Sequence, residues 1–149
     1  MILPVTLTFA AAAALINIWL AMRAGSARVK AKVLHGDGGD VRLLARMRAH
    51  ANFTEYAPFV VILSGVIEMA RGPSLPLWVA MSVFVLARLA HAFGMDVTTP
   101  PTRLRFAGIM GTWLVLLGLA VWALVIGYQS TAAKPATGPV IFGAPPARG

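Results

Sequence analysis

Residues 106–128 read FAGIMGTWLVLLGLAVWALVIGY, 23 positions without one charge. A bilayer crossing needs about 20. Near the other end, residues 2–22 (ILPVTLTFAAAAALINIWLAM) are uncharged for 21 positions. A cleaved leader is not expected there: no Lys or Arg precedes Ile2, and the run exceeds the roughly 7–15 residues of a signal core. Two less pure spans lie between. One covers about 43–70 and is apolar in its second half; the other covers about 75–94 and is broken only by Arg88 and His91. With about 2–23 and 104–128 they make four spans in a single domain, residues 1–130. Short connections then give the expected fold class, an all-α membrane protein built as an antiparallel four-helix bundle. Residues 131–149, TAAKPATGPVIFGAPPARG, read as a flexible Pro/Gly/Ala-rich tail.

Composition agrees. The chain is 58% hydrophobic and 12% charged, against about 25% charged in soluble domains. That is too little charge to cover a water-facing surface. With no cysteine, disulfides, zinc–thiolate sites, iron–sulfur clusters and cysteine nucleophiles are excluded. The net charge of +8 does not point to nucleic acid, because the basic residues gather in two connections rather than over a solvated face. Connection one (23–48) holds Arg23, Arg28, Lys30, Lys32, Arg42, Arg46 and Arg48; connection three ends on Arg103 and Arg105. Connection two has only Arg71, and the tail Lys134 and Arg148. Lys and Arg stay on the cytoplasmic side, so connections one and three are expected there and both termini outside. Among smaller signals, the Gly36–Gly39 run GDGG is turn chemistry without the Lys-Ser/Thr of a phosphate loop. Gly111 and Gly118 suggest close helix contact on the fourth span. No internal repeat supports a transporter, no Gly-x-Ser-x-Gly elbow supports a hydrolase, and no ligand spacing supports a metal.

The chemistry sits at the start of the second span, residues 46–59, RMRAHANFTEYAPF. At 100° per residue Arg48, Asn52 and Glu55 fall at about 0°, 40° and −20°, one stripe along roughly 10 Å of helix. Ionisable groups in a membrane segment must face protein or water and are functional candidates by default. His50, about 200° round, is off the stripe and reads as structural, and Pro58 reads as a bend. Arg88 and His91, at i and i+3, share one side of the third span. A guanidinium, an amide and a carboxylate in one stripe, with Arg28, Arg103 and Arg105 at the same membrane face, suit a zwitterionic ligand with several carboxylates.

At these residues the chain resembles a known family. Arg48-x-x-x-Asn52-x-x-Glu55-Tyr56 followed by Pro58 is similar to the second-helix signature of the membrane-associated proteins in eicosanoid and glutathione metabolism, the microsomal glutathione transferase-like family. GDGG before it and ARLAHAFG (87–94) after it are similar to small bacterial members. The resemblance implies a homotrimer in the bacterial inner membrane with glutathione bound between neighbouring subunits. It implies that Arg48, Asn52, Glu55 and Tyr56 hold the glutathione backbone, with Arg28 a first-helix contact. Arg105, or else Arg103, would face the sulfur as the catalytic arginine. His91 and Met95 stand where several eicosanoid enzymes carry tyrosines, and His91 joins the expected glutathione contacts.

The function expected is therefore a multi-pass glutathione transferase or peroxidase acting on hydrophobic electrophiles. The alternative is a non-catalytic lipid-binding scaffold of the same fold. Arg105 is preferred over Arg103 because it abuts the uncharged run, where a desolvated guanidinium stabilises a thiolate more strongly. Expected partners are further copies of the chain, a hydrophobic electrophile or lipid, and membrane lipids, with no nucleic acid.

Overall fold

The computed structural model describes residues 2–96 and 102–132. Among these, four helices follow in order: α1 (Pro4–Ala31), α2 (Val41–Arg71), α3 (Leu75–Gly94) and α4 (Arg103–Ala132). Each is long and apolar enough to cross a bilayer. Contacts between helix ends set their directions. Val5 and Thr6, opening α1, meet Glu68 near the end of α2. Arg71, closing α2, bonds Gln129 near the end of α4, and Arg23 of α1 pairs with Asp96 just beyond α3. So α1 and α3 run one way and α2 and α4 the other, as short connections require. Leu20, Phe53, Val60, Met81, Phe84 and Leu119 interlock at the centre, while Leu15, Leu86, Leu114 and Leu124 are exposed on the outside. Lipid is as apolar as those leucines, so close packing and polar contacts hold the helices to one another.

Two kinds of contact do this work. The first is backbone approach between α3 and α4. A Cβ on Gly108 would lie 2.6 Å from the Ala87 carbonyl oxygen, and one on Gly94 would lie 2.3 Å from the Arg105 nitrogen. Gly111 sits more loosely, 3.0 Å from the Ala87 Cβ, and Gly118 has nothing within 4 Å. The close-contact glycines are thus Gly94 and Gly108; Gly118, expected from its spacing, faces outward. The second is a remote helix cap. No side chain next to it caps α1. Instead the Val5 and Thr6 N–H groups donate to the two carboxylate oxygens of Glu68 at 2.9 and 2.8 Å, and Glu68 is fully buried. Without that carboxylate these amides would be orphaned against hydrocarbon.

Helix limits depart from the expected spans where hydropathy and helicity separate. α1 continues past residue 23 to Ala31. The segment RAGSARVKA contains no proline, and Arg28 and Lys30 in its last turn complement the helix dipole. Connection one shrinks to residues 32–40. Within it Asp37 accepts from the Asp40 N–H at 2.9 Å, and Gly38 adopts a φ of +59°. Asp40 then caps α2, accepting from the Leu43 N–H at 2.7 Å. Pro58 lies inside a continuous α2. At the other end α4 runs to Ala132, so residues 131 and 132 are helix rather than tail; residues 133–149 lie outside the described segment.

Candidate functional site

A half-open cavity of about 230 Å³ lies where α2, α3 and α4 meet. α2 supplies Arg48, Asn52, Glu55 and Tyr56; α3 supplies His91, with Met95 just after it; α4 supplies Arg105, Ile109 and Trp113. The stripe read from α2 therefore faces one cavity together with His91 and Arg105. Arg28 does not reach it. Its guanidinium donates to the Leu34 and Gly36 carbonyls at 3.2 and 2.8 Å, bracing connection one, because α1 is not a wall of this cavity. Arg103 is exposed and also absent from the lining. His50, off the stripe, pairs through Nε2 with Asn17 Oδ1 at 2.9 Å and ties α2 to α1.

The supporting groups are satisfied within the chain. Asn52 Oδ1 accepts from Arg88 Nη2 at 2.9 Å, which leaves the carboxamide N–H groups for the cavity. Arg88 is only 1% exposed. Its Nη1 donates to Thr112 Oγ1 at 3.2 Å, and Thr112 in turn donates to the Gly108 carbonyl at 2.8 Å. The guanidinium carbon lies 5.8 Å from the Phe53 ring centroid, and Nε has no partner among the described residues. One buried cation thus joins α2, α3 and α4 directly behind the site. His91 Nδ1 lies 3.2 Å from the Arg105 carbonyl; a carbonyl only accepts, so Nδ1 carries the proton. The Arg105 N–H donates to Thr102 Oγ1 at 3.2 Å, and Thr102 Oγ1 donates to the Gly94 carbonyl at 3.1 Å. Gly94 is the close-approach glycine that lets this end of α4 seat against α3. On the outer wall Trp113 Nε1 donates to Tyr56 Oη at 3.1 Å.

The reaching groups are open. Arg48, Glu55 and the Arg105 guanidinium are exposed and form no side-chain hydrogen bond among the described residues. This corrects the reason given for preferring Arg105. In a single chain both arginines are exposed; what separates them is that Arg105 lines the cavity. Sequence reasoning missed Ile109, Trp113 and the support from Arg88. The first two were available, since they follow Arg105 at i+4 and i+8 and so share its face. The Arg88 link joins residues 36 positions apart, which no local pattern reveals.

Three bilayer-length helices walling a polar cavity, with open cations beside a carboxylate, define a multi-pass membrane protein with a cavity at one end of the bundle. Comparison with known proteins narrows the class. The chain belongs to the MAPEG family, whose pattern it matches over residues 6–125. It is thus a membrane protein of the glutathione transferase and eicosanoid family that its second-span motif resembles. It is also similar to the "Inner membrane protein YecN" of Escherichia coli strain K12, with 31% identity over 90 residues, 60% of this chain and 67% of that protein. The protein of the same description from Escherichia coli O6:H1 gives the same values.

Proposed function

We propose that the protein binds glutathione in the α2–α3–α4 cavity and activates its thiol against hydrophobic electrophiles arriving from the bilayer, as a transferase or peroxidase. The supporting observation is that Arg48, Asn52, Glu55, Tyr56, His91 and Arg105 line one cavity. Arg48 pairs with a glutathione carboxylate, for which a guanidinium is geometrically matched. Glu55 accepts from the ammonium, and Asn52 donates to the peptide or carboxylate oxygens. Arg105 faces the sulfur. A free thiol has a pKa near 8.5, and lowering it by about two units requires roughly 2.7 kcal/mol of preference for the thiolate. A guanidinium supplies that only when water is excluded.

Exclusion of water is the reason for a homotrimer in this reading. The cavity of about 230 Å³ falls below the roughly 300–1,000 Å³ of ordinary ligand pockets, and its three reaching side chains are exposed. A neighbouring copy laid across the open side would complete the volume and dry Arg105. Arg28 enters only from such a neighbour. With the arginine-rich end cytoplasmic, the site opens at that face of the inner membrane. The test adds glutathione to detergent-purified protein and follows ultraviolet absorbance for thiolate, then supplies a general electrophile. Thiolate absorbance followed by consumption of the electrophile is the expected result. Absence of both binding and thiolate overturns the enzyme reading and leaves the lipid-binding scaffold.

A further inference from the structure

A second concavity lies on the other side of the same membrane face. The apolar run of α1 stops at Met22, yet the helix continues to Ala31, nine residues or about 13 Å. That length is enough to cross a headgroup layer, which adds roughly 5–8 Å per leaflet. Between it and the first turns of α2 is a cavity of about 180 Å³ lined by Ala27, Lys30, Ala31, Asp40, Arg42 and Arg46. It shares no lining residue with the first cavity. Alanines at 27 and 31 leave the space, and cations surround it.

The charges do not balance locally. Asp40 is the one acid in the lining, and its Oδ1 is occupied by the Leu43 N–H that it caps. Arg46 uses Nε on Asp96 at 3.4 Å and Nη1 on the Arg23 carbonyl at 3.2 Å, which leaves Nη2. Lys30 and Arg42 are exposed, and their side chains form no hydrogen bond among the described residues. A concave site with unmatched donors favours an anion. The flanks carry a second requirement: Val29, Leu34 and Val41, in the same turns and connection as these cations, are 79%, 86% and 62% exposed. A soluble anion leaves those apolar side chains uncovered. A ligand that joins a phosphate to hydrocarbon covers them.

We infer that the α1 extension and the start of α2 form a binding site for an anionic phospholipid. Lys30, Arg42 and Arg46 hold the phosphate, and the glycerol and acyl region lies along Val29 and Val41. Excess positive charge makes the site prefer a headgroup with net negative charge over a zwitterionic one. The test titrates delipidated protein with short-chain phosphatidylglycerol, short-chain phosphatidylcholine or inorganic phosphate, and reads adducts by native mass spectrometry. Phosphatidylglycerol is expected to bind as one molecule per chain and phosphatidylcholine far more weakly. The double variant Lys30→Gln/Arg42→Gln should weaken phosphatidylglycerol binding by about 25-fold, since each interfacial cation is worth about fivefold. Arg42→Lys, keeping the charge, should retain most of the binding. Arg71→Gln, which removes a cation from the opposite end, should leave it unchanged. Equal binding of the two lipids, or wild-type binding by the double variant, overturns the inference. If inorganic phosphate binds as tightly as the lipid and is lost in the double variant, the site takes free phosphate and the lipid assignment falls.

Discussion

The two glutamates of this chain make opposite predictions under the same substitution. Glu68 is fully buried and receives the Val5 and Thr6 N–H groups at 2.9 and 2.8 Å. Glu68→Gln keeps one acceptor oxygen but turns an NH2 group toward the second amide. Leaving that buried N–H unpaired costs about 1–3 kcal/mol. Removing a negative charge from a helix N-terminus costs about 0.3–2 kcal/mol more, and relief of carboxylate desolvation offsets part of the sum. The net expectation is a loss of about 2 kcal/mol, roughly 30-fold in the folding constant, read by denaturation in mild detergent. Glutathione affinity of the folded fraction should not move. Glu55 is exposed and has no side-chain hydrogen bond among the described residues, so Glu55→Gln should leave stability unchanged. Loss of a charge-assisted contact should instead weaken glutathione binding by about 10- to 100-fold, read by calorimetric titration. If Glu68→Gln melts like the wild type, or lowers affinity as Glu55→Gln does, the division of labour drawn from burial is wrong.

Four other outcomes are expected. Arg88→Met, replacing a 1% exposed cation by an apolar side chain of similar length, strips Asn52 Oδ1 of its partner and should destabilise by about 1–3 kcal/mol, less what relief of the cation's desolvation returns. It should still weaken glutathione binding about 5- to 10-fold by freeing Asn52, the worth of about one hydrogen bond; an unchanged titration would sink the link. Gly108→Ala puts a Cβ 2.6 Å from backbone atoms and should destabilise by about 1–3 kcal/mol, whereas Gly118→Ala, in open space, should be neutral in the same denaturation assay. Arg105→Ala should cut turnover about 10²-fold or more with a smaller change in glutathione affinity, and Arg103→Ala should do less. Exchange of those two behaviours reassigns the thiol-facing arginine. Mass measurement in mild detergent should give a trimer, and a monomer that retains full glutathione affinity would refute the argument from the half-open cavity.

Much of this architecture is legible in the sequence because lipid imposes a simple rule. Roughly 20 uncharged residues make a crossing, and the runs at 2–22 and 106–128 both meet that length. The α2 face of the cavity is legible for a similar reason, since helical geometry alone groups Arg48, Asn52 and Glu55. What stayed hidden has a common cause. Periodicity states which side chains share a face and is silent on what that face meets. Glu68 reads as a stray charge at the far end of α2, and only the fold brings it to amides 62 and 63 residues earlier. Arg88 likewise gives no sign of Asn52. The α1 extension was hidden for another reason: hydropathy measures contact with lipid, whereas helicity depends on propensity and dipole, and the two part company at Arg23.

Burial with complete pairing is what separates structural from functional polar groups in this bundle. A polar side chain in a membrane segment must be satisfied somewhere. Glu68 is satisfied by α1, His50 by Asn17, and Asn52 Oδ1 by Arg88, all within one chain. Such bonds stabilise a unique packing; Glu68 and His50 have little left to offer a ligand, whereas Asn52 keeps its N–H groups for the cavity. Arg48, Glu55 and Arg105 occupy equally helical positions but end at an open cavity with no internal partner among the described residues. No side chain among the described residues pairs with them, which leaves all three open to a ligand under the proposed reading. A zwitterion with two carboxylates, covered by a neighbouring copy, satisfies all three at once, whereas an apolar lipid alone would bury Arg48 and Glu55 uncompensated. The energetic argument therefore favours a charged ligand at this cavity whichever electrophile, if any, shares it.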